Sequence, residues 1–216
     1  MRQVIQNQQP WRILESGKVY FHHGPSSIMV MADKNGEPLT ELCCQAFEVI
    51  DGALKEIAAA LELLRLPYPQ VSPEQLEGLG GLPRRMIDTV TAVGEPTLTP
   101  MATVAGCVAD AVADWVFEQG ASRVMVNNGG DVALRLAPGT AVKMGIMTSL
   151  TAAAIDRAVT VRAEDGIGGC ATSGLGGRSL TRGIAQGVSV FSHRCILADA
   201  LATHLANCSY VQSDQV

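Results

Sequence analysis

Apolar and polar residues alternate over the first stretch of the chain that shows a period: Trp11 and Ile13, then Val19 and Phe21, then Ile28 and Val30. Turn residues at Glu15-Ser16-Gly17 and Gly24-Pro25-Ser26-Ser27 break the alternation, and Lys34-Asn35-Gly36 ends it. That pattern predicts a short antiparallel meander. The period then lengthens. Leu42, Ala46, Val49, Ala53, Ile57 and Leu61 recur at helical spacing, predicting a helix over residues 40–66. Thr40 is the expected N-cap, Glu41 suits the positive end of the dipole, and Pro67 and Pro69 stop the helix. A Pro/Gly-rich connector follows over 66–83, expected as an ordered loop, then a short helix over 84–93 and an extended stretch over 95–100. A second long helix is predicted over 101–119, with Val104, Val108, Val112 and Trp115 on its buried face. After Gly120 the period returns to two, with strands expected at 123–127, 131–136, 142–147, 158–163 and 187–193 and a last helix at 195–207. Meander, long helices, meander and helix, in that order, predict an α+β fold with antiparallel sheet rather than a doubly wound one. The length fits one domain over residues 1–216, and no internal repeat is visible.

Composition narrows the classes. With 47% hydrophobic residues, the chain can bury a sizeable core. A formal net charge of −5 and few aromatics argue against a nucleic-acid surface. No unbroken apolar run reaches the roughly 18 residues of a membrane span, because Asp110 and Asp114 interrupt the best candidate. Residues 1–11 lack the apolar core of a secretion signal. Six cysteines without a CxxC pair fit reduced thiols, so a cytoplasmic protein is expected.

Three segments could carry chemistry. Asn127-Asn128-Gly129-Gly130-Asp131 lies between two apolar strands. It suits a tight hairpin, yet the glycines would also let a ligand approach and Asp131 could accept from it. Residues 165–182 hold six glycines with Thr172, Ser173, Arg178 and Arg182, which suits either an anion cradle or a surface loop. On the last helix, Leu197, Leu201 and Leu205 form the apolar stripe, and Cys195, Asp199 and Thr203 lie opposite. A carboxylate and a hydroxyl one turn apart offer two oxygen ligands to Mg2+; otherwise that face is simply solvated. The stripe Asp110, Asp114 and Glu118 is expected to be a solvated face. The histidines are scattered, without the spacing of a zinc hydrolase.

Together, the segments NNGGD, ATSG and GVSVFSHRCILADALATHLA resemble the ApbE family of FAD:protein FMN transferases. ADALAT at 198–203 is the most specific match. MATVAGCVADAV, at 101–112, resembles a degraded form of the family's Gly-x-x-Lys-Gly-Tyr-x-x-Asp helix, with Ala105 at the lysine position. The resemblance implies a T-fold-like arrangement of antiparallel sheets and long helices. It implies that Asp199, Thr203 and the Ala102 carbonyl hold Mg2+, bridging the pyrophosphate of FAD or a related nucleotide. Asn128, Gly129, Gly130 and Asp131 would border the nucleotide, with Thr172, Ser173, Gly174 and Arg178 lining the same cleft. The expected partner is therefore a small anionic nucleotide or metabolite, with no nucleic acid, no membrane, and an oligomer allowed. The family's His-x-x-Asp-Pro-x-Thr-Gly segment is missing: residues 175–186 contain no histidine. His193 is the remaining candidate base. The alternatives are a non-catalytic binding or assembly module, or an enzyme gripping a different anion through Arg178 and Arg182.

Overall fold

A computed structural model describes residues 9–146, 157–175 and 181–211. The N-terminal meander forms as expected. Strands β1 (Trp11–Ile13), β2 (Val19–His23) and β3 (Ser26–Lys34) pair antiparallel, and β4 (Glu37–Pro38) folds back on the end of β3. Asn35 and Gly36 make that turn with φ of 56° and 93°, a region open to Asn and Gly. The first long helix, α1, spans Thr40–Ala59 and breaks at Ala60 before the short α2 (Leu61–Leu64). Thr40 is not its N-cap. Leu39 holds that place, and the Thr40 hydroxyl instead donates to the Gly17 carbonyl at 3.2 Å. The connector carries one turn of helix, α3 (Pro73–Leu76), closed by a Ser72/Gln75 capping box. Next comes α4 (Gly81–Val93). Residues 95–100 are not extended: the Leu98 N–H bonds back to the Glu95 carbonyl as a turn.

The helix α5 (Val104–Glu118) follows a 3-10 turn, Pro100–Thr103. The two together are long and apolar enough to cross a membrane by composition. Here they fill the core instead: Val108, Val112 and Val116 are buried, and so is the Asp110 carboxylate. Strands β5 (Arg123–Asn128) and β6 (Asp131–Leu136) form a hairpin, β7 (Ala141–Ile146) and β8 (Arg157–Arg162) a separate ladder. The Gly-rich stretch holds a strand that its glycines conceal, β9 (Gly169–Ser173), which pairs with β10 (Val188–Ser192). The chain ends in α6 (Cys195–Cys208).

The main sheet runs in the order β1-β2-β3-β5-β6-β9-β10, and every described pairing is antiparallel. The fold is α+β, as the order of periods predicts. Alternate residues choose the layer. Ala133 packs with the cluster that includes α1 and α5, while Val132 and Leu134 pack with Met144 and Val161 of the β7–β8 ladder.

Candidate functional site

The loop between β5 and β6 is a two-residue turn, with Gly129 at φ 69° and Gly130 at φ 120°. Both glycine N–H groups are already engaged, by the Ser27 carbonyl at 3.3 Å and by Asn127 Oδ1 at 2.9 Å. The turn therefore offers space for a ligand but no free backbone donors. Asn128 and Asp131 stand directly opposite each other at the root of the hairpin, so their side chains share the helix-facing side. Asn128 is buried and donates through Nδ2 to the Ala105 carbonyl at 3.2 Å. Asp131 accepts from the Thr172 N–H at 3.2 Å, which joins the hairpin to β9. The Thr172 hydroxyl pairs with Ser189 at 2.7 Å, and Ser173 is buried beside it.

Helix α6 faces the opposite way from the expectation. Leu205 is 47% exposed, while Cys195, Ala198, Ala202 and Thr203 point inward. The cause is close packing of backbones. A Cβ on Gly106 would lie 2.6 Å from the Cys195 carbonyl oxygen, and one on Gly169 2.4 Å from the Cys195 nitrogen. Helix and sheet approach so closely that only small side chains fit between them, and the leucines are turned outward. Gly168 is equally tight against His193. Gly168 and Gly169 serve close packing.

The inward turn carries Asp199 into the molecule, where Oδ2 accepts from the Gly106 N–H at 2.9 Å. Burial, and then the negative charge of Asp131, raise the Asp199 pKa well above the ordinary carboxylate value. Burial likewise raises Asp131 to about 6, against the pull of the Thr172 N–H. Neither acid has an ion-pair partner among the described residues. One turn on, Thr203 is buried, and no hydrogen bond to its hydroxyl occurs among the described residues. Helix α6 also packs on the Pro100–Thr103 turn that contains Ala102.

The family model described as AbpE bacteria matches residues 11–216. The chain belongs to this family. Among curated relatives, a UPF0280 protein of Methanococcus aeolicus is 31% identical over 124 residues, 56% of this chain and 50% of that protein. Another, of Methanosarcina acetivorans, is 31% identical over 166 residues, 74% of this chain and 63% of its own length. The chain thus spans half to under two-thirds of these two curated relatives. Among solved structures, the flavin transferase ApbE from Vibrio cholerae is similar at a TM-score of 0.40 and 15% identity, over 91% of this chain and 87% of that one.

In this AbpE-family fold, Asn128, Asp131, Thr172 and Asp199 meet through the hydrogen bonds and charges described above. Gly174 ends β9, and the following Leu175 N–H bonds to the Ala185 carbonyl at 3.0 Å. Arg178 lies outside the described residues. Arg182 is engaged elsewhere: its guanidinium donates to Thr97, and its N–H to Asn207 Oδ1 at 2.8 Å. His193 is exposed at the start of α6. It lines a cleft of about 240 Å³ with Arg135, Arg194 and Gly168, a lining that includes neither Asp131 nor Asp199.

Sequence reasoning missed the largest polar network, beneath that cleft. Asp110 is fully buried rather than solvated. It accepts from Arg135 at 2.7 Å and from the Ile196 N–H at 2.9 Å, with Arg194 3.4 Å away. Asp114 joins through Arg135 at 2.6 Å and Arg194 at 2.6 Å. Burial alone would raise Asp114, but the two guanidiniums outweigh it and hold the carboxyl below its ordinary value. The signal available in the sequence was an arginine within the 131–136 strand, Arg135, and another just before the last helix, Arg194, with period-four acids on the second long helix.

Proposed function

We propose that this AbpE-family chain binds FAD, or a related nucleotide diphosphate, together with Mg2+ in the cleft between the β5–β6 hairpin, β9 and α6. One observation carries the reading: Asp199 and Asp131 are two acids set against each other, with no cation paired to either among the described residues. A protein that holds like charges together without compensation is suited to a cation from outside. The donors fit a hard divalent ion, which takes oxygen ligands. Asp199, Thr203 and the Ala102 carbonyl would hold it. When bound, it would supply charge neutralisation and polarisation of a phosphate oxygen.

The chain's own residues would do the rest. Asp131, fixed by the Thr172 N–H, would border the nucleotide on the hairpin side. The exposed turn Gly129-Gly130, lacking side chains, would admit a flat ring system close to the backbone. The Thr172–Ser189 hydroxyl pair would supply donors at the sheet edge. All six cysteines are unpaired, which supports a reducing, cytoplasmic setting for this activity. A non-catalytic form of the reading, a binding module, is favoured by the placement of His193 in a separate cleft.

Titration calorimetry tests the proposal. FAD, FMN and ADP are titrated into the protein in Mg2+ and again in EDTA. The expected result is micromolar-range binding of a diphosphate in Mg2+ that EDTA abolishes. No heat with any of the three in Mg2+ would remove the nucleotide reading.

A further inference from the structure

A single peptide unit joins the two halves of this site. It is the bond between Ala105 and Gly106, in the first turn of α5. Its carbonyl accepts from Asn128 Nδ2 at 3.2 Å, and its N–H donates to Asp199 Oδ2 at 2.9 Å. The N–H is available because the first N–H groups of a helix have no partner within it. The carbonyl has a second lone pair beyond its helical bond. A peptide unit is planar and stiff, so a displacement at one end is passed to the other. Nor can the unit slide: Gly106 is already against the Cys195 backbone, where even a Cβ would be 2.6 Å from an oxygen.

Asn128 sits across the hairpin from Asp131 on the same face. Gripping the Ala105 carbonyl therefore ties the strand pair that carries Asp131 to the first turn of α5, and through Gly106 to Asp199. The tether has something to oppose, since Asp131 and Asp199 repel each other. Packing of the hairpin on α5 and the Arg135 ion pairs hold the elements together, and the Asn128 bond adds the restraint nearest the two acids.

Resting on the cation-and-nucleotide reading above, we infer that Asn128 is a positioning residue rather than a ligand contact, and that it sets the cation preference of the site. By fixing the Ala105–Gly106 peptide, and through it Asp199, against the hairpin, it would hold the Asp199 carboxylate in place for the compact coordination that Mg2+ demands. Mg2+ requires near-ideal octahedral geometry at about 2.1 Å, whereas Ca2+ tolerates longer and irregular coordination. Loosening the tether therefore penalises Mg2+ more than Ca2+. A side chain that merely stabilised the fold would weaken both equally.

The test compares wild type with Asn128→Leu, which keeps bulk but removes the donor. Asn128→Ala serves if the leucine variant does not fold. FAD is titrated calorimetrically in saturating Mg2+ and, separately, in Ca2+. The expected result is a loss of about tenfold or more in Mg2+ against less than about threefold in Ca2+, tenfold being 1.4 kcal/mol. Equal losses, or none, overturn the inference while leaving the site intact. Failure of the wild type to bind FAD in either cation overturns the site reading, and the cation preference with it. A second measurement needs no ligand: a double-mutant cycle of Asn128→Leu and Asp199→Asn on urea midpoints of the apo protein. Non-additive shifts are expected because both side chains hang on one peptide. Additive shifts reject the tether itself.

Discussion

A carboxylate buried without a cation destabilises the fold that holds it, and Asp199 and Asp131 both show this sign. Asp131 binds its proton up to about pH 6, above the ordinary 3.8, and Asp199 is shifted the same way. Between those values the native state holds more protons than the unfolded chain, so stability falls as pH rises through the window. Asp199→Asn keeps an acceptor for the Gly106 N–H but removes the charge. It is expected to raise apo stability at pH 7, because the buried negative charge that Asp131 repels is gone. The gain should vanish below about pH 4, where both carboxyls are protonated in wild type too. Urea unfolding of both proteins at the two pH values checks it, and a gain that persists in acid would show that charge is not its cause. Asp110 has the opposite character. It is buried between two guanidiniums, and Asp110→Ala leaves the Ile196 N–H without its acceptor and Arg135 with Asp114 alone, at an expected loss of about 1–3 kcal/mol in the same assay. In the sequence these residues looked alike. Asp110, Asp114 and Glu118 recur every four positions, which is how a solvated face is written, and the arginines that bury the first two lie far along the chain. The spacing of Asp199 and Thr203 allowed a pair of oxygen ligands but favoured an exposed helix face, and it was the ADALAT resemblance that singled Asp199 out.

Helix α6 shows how an element can be correctly bounded and wrongly oriented. Its span was readable from periodicity, but the leucine stripe was assigned inward. Hydrophobicity sets which face is buried only when the neighbours leave room for large side chains. Here Gly106 and Gly169 bring α5 and β9 so near that Cys195, Ala198 and Ala202 fill the interface. Gly169 and its neighbouring glycines in 166–177, read as a loop, hid β9. Two outcomes follow for thermal unfolding. Gly169→Ala places a methyl 2.4 Å from the Cys195 nitrogen, backbone against backbone, and is expected to destabilise by about 3 kcal/mol or more. Leu205→Ser, on the exposed side, should stay within about 0.5 kcal/mol. The reverse order of these two effects would mean that the leucine face, not the small-residue face, is the buried one.

Over the whole molecule, the antiparallel sheet brings three distant segments to one place: the hairpin at 128–131, the end of β9 and the middle of α6. Their order along the chain made the family legible, whereas their distances were not, since those depend on which glycines pack and which turn. Whether the proposed site could carry out the flavinyl transfer of the transferases its motifs resemble turns on a proton acceptor. Flavinyl transfer to a hydroxyl needs a base near the acceptor, and such a base typically contributes about 10² to 10⁴ in rate. The segment that carries the family's histidine is absent, and the only side chains with basic nitrogen between 175 and 186 are arginines, which stay protonated near pH 7. His204 is held on the C-terminal part of α6, 3.7 Å from Glu95. His193 shares its cleft with Arg135 and Arg194 rather than with Asp131 and Asp199. Asp199 would be committed to the cation, and Asp131 would border the nucleotide. The expected outcome is therefore no covalent flavin on an acceptor domain incubated with this protein, FAD and Mg2+, read by in-gel fluorescence, even where calorimetry records binding. A strong fluorescent band would overturn this, and its loss in His193→Ala would assign the base to a residue that reaches the site only when the start of α6 moves.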